Sequence, residues 1–352
     1  SIGGFTFVAF KTYKMNDMKG KQGMVCMGLL LVLSSCHTGK QITASGLQRK
    51  DFQTEVNGQH TDLFTLSNKQ GMEVCITNYG ARVVSILVPD RNGKREDVVC
   101  GFSTITEYME QRQNFGSTVG RYIGRILNAR FTLDGVEYKL VPNNGKSGHI
   151  SHGGNPGFAD RIWKVEQADT HRVRLSYLSP DGENGFPGNL KVTLVYSLGE
   201  DDNALDLTYE ATTDAPTVLN LSHHSFFNIS GNFTKSVEDQ QLWVDADRFT
   251  PYDDKKCVTG EYLPVAGTPL DFRMPHAIGE CIDADHPQLK VVNGYDHTWE
   301  LNTKGDDTRP AAWVYDPASG RKMEIFTTEP GMQIYTGNGL KGKMTGKRGI
   351  AY

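Results

Sequence analysis

The stretch that decides the fold class is Ala129-Arg130-Phe131-Thr132-Leu133-Asp134-Gly135-Val136-Glu137-Tyr138-Lys139-Leu140. Its arms are rich in β-prone residues, and an Asp-Gly pair separates them. That pair supplies the positive φ angles a tight two-residue turn needs, so the stretch reads as a β-hairpin. Working outward, further short apolar or alternating runs fall at 72–77, 82–88, 173–178, 190–197, 204–211 and 241–244. Gly, Asn, Asp and Pro punctuate them, which is strand-and-turn spacing. Leu205-Asp206-Leu207-Thr208-Tyr209-Glu210 alternates apolar with polar, as a half-buried strand requires. Helical spacing is scarce, with 104–113 the best candidate, and no long repeat marks a solenoid or propeller. The expectation is an all-β fold, a single large antiparallel β-sandwich.

Composition agrees. The 38 glycines among 352 residues provide for many turns. The net charge of -4 lacks the basic clustering of a nucleic-acid binder, so no nucleic-acid partner is expected. Of the six cysteines, none form a CxxC pair, which argues against a zinc ribbon or a thioredoxin-like motif. Cys75, Cys100, Cys257 and Cys281 are expected to be free, mostly buried thiols.

The N-terminal region reads separately. Residues 1–17 show no clear pattern and are taken as an upstream, non-native segment. Lys19 and Lys21 precede the apolar run Met24-Val25-Cys26-Met27-Gly28-Leu29-Leu30-Leu31-Val32-Leu33, followed by Ser34-Ser35-Cys36. A positive stretch, a short apolar core and small residues make a signal peptide over 18–36. The apolar run is too short to span a bilayer. Leu33-Ser34-Ser35-Cys36 resembles a bacterial lipobox, with Cys36 as the lipidated residue. Residues 37–50 read as a polar tether and 51–352 as the main domain. The expected location is the bacterial cell envelope, lipid-anchored and periplasm-facing, with membrane contact only through the anchor.

Three polar clusters sit in Gly- or Asn-rich contexts: Gly120-Arg121-Tyr122-Ile123-Gly124-Arg125-Ile126, Gly148-His149-Ile150-Ser151-His152-Gly153-Gly154, and Leu219-Asn220-Leu221-Ser222-His223-His224-Ser225-Phe226-Phe227-Asn228. Asp271 and Asp296 join them from turn-rich settings. Each has an ordinary reading. Arg121 and Arg125 can pair with surface acids, the aspartates can cap turns, and His149 and His152 can structure a loop. On a strand, His223 and His224 point to opposite faces, and spacing does not say which faces a ligand. A metal held by His149, His152 and His223 or His224 lacks a carboxylate at metal-site spacing, so no metal is expected. Neither a GxSxG elbow nor a P-loop occurs. A glycosidase would need two flanking carboxylates; Asp245, Asp247, Asp253 and Asp254 offer acids, but in a turn-rich, solvated stretch.

Taken in order, the clusters resemble one family, the aldose 1-epimerases, from about Thr61 to Tyr352. Asn78-Tyr79-Gly80-Ala81 resembles its N-x-G-A signature, and Gly120 to Ile126 its G-R-x-x-N-R-I. Ser151-His152-Gly153-Gly154 resembles L-H-G-G, and Asn220 to Asn228 resembles N-L-T-N-H-S-Y-F-N. Gly294-Tyr295-Asp296-His297 resembles G-[FY]-D-H. Pro330-Gly331-Met332-Gln333-Ile334-Tyr335-Thr336-Gly337-Asn338 resembles P-G-x-Q-x-Y-T-G-N. The resemblance implies a galactose mutarotase-like supersandwich and interconversion of the anomers of free hexoses, with a sugar as the small-molecule partner, no cofactor and a monomeric chain. By motif position it implies that His224 is the proton donor and that Arg125, His152, Asp296 and Gln333 bind the sugar. Gly124, Phe226 and Asp271 are further candidates for sugar contact. Gly124 and His223 stand where the family has asparagine, which removes a side-chain hydrogen bond beside Arg125.

In the family the general base is a glutamate in a segment like G-[FV]-C-L-E-x-Q past the Y-T-G-N motif. This sequence holds no such segment, and Glu329 precedes the motif. A partial reading frame with the C-terminal strands missing is therefore expected, and the chain as given is expected to be poorly stable and nearly inactive. A carbohydrate-binding lipoprotein without catalysis is the alternative.

Overall fold

The structure, a computed structural model, describes residues 5–7, 41–340 and 342–352. The leader read over 18–36, with Cys36, lies outside the described residues, as do 1–4, 8–17 and 37–40.

The hairpin that opened the sequence reading forms in the expected register. Strands Arg130–Leu133 and Val136–Lys139 pair Phe131 with Tyr138 and Leu133 with Val136. Asp134 and Gly135 take φ of 51° and 79° at the turn, and the Phe131 and Tyr138 rings stack at 5.3 Å. The one helical stretch of the sequence reading becomes Ile105–Gln111. Thr104 caps it: its Oγ1 accepts from the Glu107 N–H at 3.2 Å, and the Glu107 carboxylate accepts from the Thr104 N–H at 2.9 Å. That reciprocal box fills two of the four donors a helix start leaves open.

Two packed halves make up the sandwich. In the first, a four-stranded antiparallel sheet (Leu63–Ser67, Glu73–Thr77, Arg82–Pro89, Arg95–Asp97) faces a second one (Lys164–Ala168, Arg172–Ser179, Leu190–Leu198, Leu205–Thr213). Val74, Ile76 and Val83 from one sheet and Leu175, Val192, Leu194 and Tyr196 from the other share one buried cluster. In the second half, Leu242, Val244 and Val314 pack against Phe249, Trp299, Met332 and Ile334. The latter four come from a sheet running Phe226–Phe227, Phe5–Phe7, Gly331–Tyr335, Asp296–Glu300, Arg248–Thr250, Leu263–Pro264. Phe5–Phe7, from a segment without sequence pattern, pairs with both of its neighbours there. Burial of aliphatic and aromatic side chains, roughly 1.5–3 kcal/mol for each one fully removed from water, is the main force joining the sheets.

Strand alternation also makes the functional surface. In Asp296–Glu300, residues 297 and 299 are buried while 296, 298 and 300 are partly open. In Gly331–Tyr335, Met332 and Ile334 are buried while 331, 333 and 335 are partly open. One face of these strands thus closes the core, and the other is free to line a cleft.

The stretch 37–50, read as a tether, is docked over its described part. Thr43, Ser45 and Leu47 are buried, and the N–H groups of Ala44 and Ser45 donate to the Glu73 carboxylate at 3.0 and 3.1 Å. A buried acid with two backbone donors fastens this polar segment, which composition alone does not reveal. Cys75, Cys100, Cys257 and Cys281 are free thiols.

Arg121, open in sequence to a surface ion pair, is instead 1% exposed. Its guanidinium donates to the carbonyls of Ser179, Pro180, Pro187 and Gly188 at 2.7–3.0 Å and to Ser179 Oγ at 2.9 Å. Arg121→Ala leaves these buried acceptors unpaired. It should lower unfolding stability by at least about 3 kcal/mol, read as a drop in urea midpoint. Arg121→Lys should recover little, because an ammonium lacks the planar fork.

Candidate active site

Strand Ser222–His223 pairs with Thr118–Val119, setting His223 opposite Thr118. The backbone of His224 continues the ladder: its N–H donates to Ser117 O, and its carbonyl accepts from the Gly116 N–H, both at 2.9 Å. Alternation then separates the two histidines. His223 is buried, with Nε2 2.6 Å from Ser225 Oγ. His224 faces a cleft of about 630 Å³.

The His224 ring stacks on Phe226 at 5.2 Å and meets His152 edge-on at 5.5 Å. Its Nδ1 is buried without a partner among the described residues. Burial, with the neighbouring His152 as a lesser contribution, pushes its pKa down to about 3. His152 sits in the left-handed region at φ 53°. Its N–H donates to Gly124 O at 2.9 Å, and its Nδ1 accepts from the Gly124 N–H at 3.3 Å. That second bond places the ring proton of neutral His152 on Nε2. Burial and the adjacent Arg125 hold His152 near pKa 4, so the ring is neutral at physiological pH. Gly124 itself has φ 82°, a conformation that suits glycine, and its backbone N–H makes the contact to the histidine.

The opposite wall is acidic. Asp296 Oδ1 accepts from Gln333 Nε2 at 2.7 Å, and that nitrogen also lies 3.3 Å from Tyr252 Oη. Thr298 Oγ1 donates to Gln333 Oε1, which fixes the amide orientation. Burial raises the Asp296 pKa, opposed by the Gln333 bond and by the charges of Arg125 and Lys256. Arg125 Nη1 donates to Lys256 O at 3.0 Å, tying the loop at 256 to the cleft rim.

The aldose 1-epimerase family model matches residues 62–352. Galactose mutarotase of Sus scrofa is 39% identical over 289 residues, covering 82% of this chain and 81% of that protein. The chain belongs to the aldose 1-epimerase family. Aldose 1-epimerase of Escherichia coli strain K12 is 36% identical over 286 residues, 81% of each chain. Among solved structures, the GalM/aldose epimerase homologue from C. elegans superposes with a TM-score of 0.74 at 30% identity, covering 83% of this chain and 86% of that one. Galactose 1-epimerase from Lactobacillus acidophilus NCFM gives 0.73 at 30% identity, covering 83% of each.

Within this aldose 1-epimerase chain, Gly124, Arg125, His152, His224, Phe226, Asp296 and Gln333 all line one cleft. Phe226 is at once cleft wall and core, 6% exposed. Asp271 is not among the lining residues: both of its oxygens accept from Arg273 at 2.8 Å, and that bond holds its pKa down. A neighbouring arginine claims it, so the expected sugar contact is corrected. His149 and His223 also lie off the cleft; the Asn128 N–H donates to His149 Nδ1 at 3.0 Å. Asp245 is bonded to Arg309 and Asn302 instead of facing a second cleft acid.

Sequence reasoning missed Tyr252, Lys256, Glu300 and Glu329, which also line the cleft. Tyr252 and Lys256 fall in the turn-rich stretch that read as solvated, and only tertiary pairing with Gln333 and Arg125 marks them. The period-2 pattern from Asp296 is a signal that reaches Glu300.

The cleft thus offers neutral imidazoles, a guanidinium and an acceptor carboxylate, a set suited to a neutral polyol. The linkage sign follows from the depressed histidines. His152, His223 and His224 bind protons in the unfolded chain near pH 6.5 but in the folded one only near pH 3–4. Their contribution to stability is complete above about pH 6.5 and is lost as pH falls toward 4, at up to about 1.4 kcal/mol per pH unit for each ring. Urea titrations between pH 7 and 4.5 should show that decline, and His223→Asn should shallow it.

Proposed function

We propose that this protein interconverts the α and β anomers of free hexoses, galactose and glucose among them, by acid–base opening and closing of the pyranose ring. The observation that carries the reading is the convergence of His224, His152 and Arg125 with the Asp296–Gln333 pair on one cleft. A base removes the proton from the anomeric hydroxyl, the C1–O5 bond breaks, and His224 protonates O5. The C1 carbonyl then turns about C1–C2. O5 adds to its other face while the two protons return. The desolvation that depresses the His224 pKa makes its proton a strong acid once placed, at the cost of a small protonated fraction. Arg125 and the Nε2–H of His152 donate to sugar oxygens, and Asp296 accepts from hydroxyls. Phe226 gives the sugar an apolar neighbour.

On the family pattern the general base is a glutamate past Tyr335-Thr336-Gly337-Asn338. None of the 352 residues matches that segment. We also propose a lipid anchor at Cys36 facing the periplasm, supported by the leader pattern of 18–36; labelled fatty acid should enter the protein and fail to enter Cys36→Ala.

Polarimetry of freshly dissolved α-D-galactose and α-D-glucose tests the activity. Protein made from the full reading frame should speed equilibration, and His224→Ala should slow that rate at least about 100-fold. Folded protein that binds galactose without accelerating exchange would overturn the enzyme reading in favour of a sugar-binding protein.

A further inference from the structure

Among the described residues, three carboxylates line the cleft: Asp296, Glu300 and Glu329. Two are engaged. Asp296 accepts from Gln333 at 2.7 Å. Glu300 is gripped on both oxygens by Arg248, at 2.6 and 2.8 Å. Glu329 differs, because its carboxylate has no hydrogen bond or ion pair among the described residues although it is partly buried. Its backbone is pinned on both sides. Its own N–H donates to Thr327 Oγ1 at 3.1 Å, and the following Pro330 carbonyl accepts from the Leu301 N–H at 2.9 Å. The residue before a proline is confined to extended backbone, which restricts it further. Beside it, Gly331 lies opposite Glu300 in the strand register and brings no side chain into the space above the floor.

A partly buried carboxylate without a partner is unfavourable by itself, because burial removes water that nothing replaces. Its desolvation, which raises the Glu329 pKa, has the same origin. Among the described residues, no donor answers the carboxylate. Ligand hydroxyls are the donors that would satisfy it.

We propose that Glu329 is a substrate-contacting residue of this cleft, accepting hydrogen bonds from a sugar hydroxyl and so selecting which aldoses are held. The proposal rests on the sugar-site reading above and adds a specificity residue that the motif pattern does not contain. A site built to pair with a hydroxyl discriminates strongly against the analogue that lacks it, because the carboxylate is then left unpaired.

Calorimetric titration separates the two claims, since it needs binding and not turnover. D-galactose, D-glucose, D-fucose, L-arabinose and 2-deoxy-D-galactose would be titrated into the unsubstituted protein, Glu329→Gln and Glu329→Ala. The expected result is a loss of galactose affinity of about tenfold or more in Glu329→Ala, with a smaller loss in Glu329→Gln. The sugar lacking the contacted hydroxyl should bind the unsubstituted protein more weakly and be almost insensitive to the substitution. Equal losses for every sugar, or changes below about twofold throughout, would overturn the role of Glu329 while leaving the sugar site intact. No sugar binding by the folded, unsubstituted protein would overturn both. Glu329→Gln keeps the side-chain shape and guards against a folding artefact, which circular dichroism of each variant checks.

Discussion

Buried guanidinium groups bonded to backbone carbonyls set the geometry on which the site depends. Arg82 donates to the carbonyls of Gln113, Phe115 and Ala159 at 2.7–3.0 Å, and Arg121 ties the 179–188 loop to the Gly120–Ile126 turn. Loops carry acceptors that no ladder satisfies, and a buried acceptor left unpaired costs about 1–3 kcal/mol. A planar fork with five donors answers several at once. Gln113 and Asn114 reach the cleft wall from a loop bonded to Arg82, and Gly124 and Arg125 reach it from the turn that follows Arg121. The charge inside each arginine is thus spent on positioning, and the chemistry falls to groups that stay neutral or half-screened.

Desolvation then shapes the chemistry of the cleft. The burial that keeps His152 and His224 neutral also raises the Asp296 pKa, against the opposing pull of Gln333 and Arg125. A neutral sugar gains little from isolated charges in water but much from fixed donors and acceptors in a dry site. The backbone N–H of Gly124 fixes the His152 tautomer, and Thr298 fixes the Gln333 amide. Both are second contacts behind the sugar-facing atoms, and both come from the backbone trace or from strand neighbours.

Much of this was legible in the sequence. The hairpin at 130–139 follows from Asp134-Gly135, and the helix at 105–111 from the helical spacing over 104–113, because local pattern decides both. The cleft residues Arg125, His152, His224, Asp296 and Gln333 were readable only through the family resemblance. They come from five separate stretches, and no local pattern reports that they converge. Asp271 misled because Arg273, two residues on, takes both of its oxygens. The docking of 41–50 was hidden because its partners are distant in sequence: Glu73 accepts from the N–H groups of Ala44 and Ser45, Ser85 bonds Ser45, and Asp62 pairs with Arg49. Spacing alone left His223 and His224 undecided and only the family motif chose His224; the strand register gives the physical reason, since pairing His223 with Thr118 goes with its burial and leaves His224 on the cleft.

The central claim is that this cleft is where a sugar binds and reacts. A crystal structure of the protein with D-galactose tests it most directly. The account predicts the pyranose between His224 and the Asp296–Gln333 pair, with O5 within hydrogen-bond reach of the His224 ring, His152 Nε2 donating to a sugar oxygen and a hydroxyl on Asp296. Galactose bound elsewhere, or in this cleft with O5 turned away from His224, would contradict it.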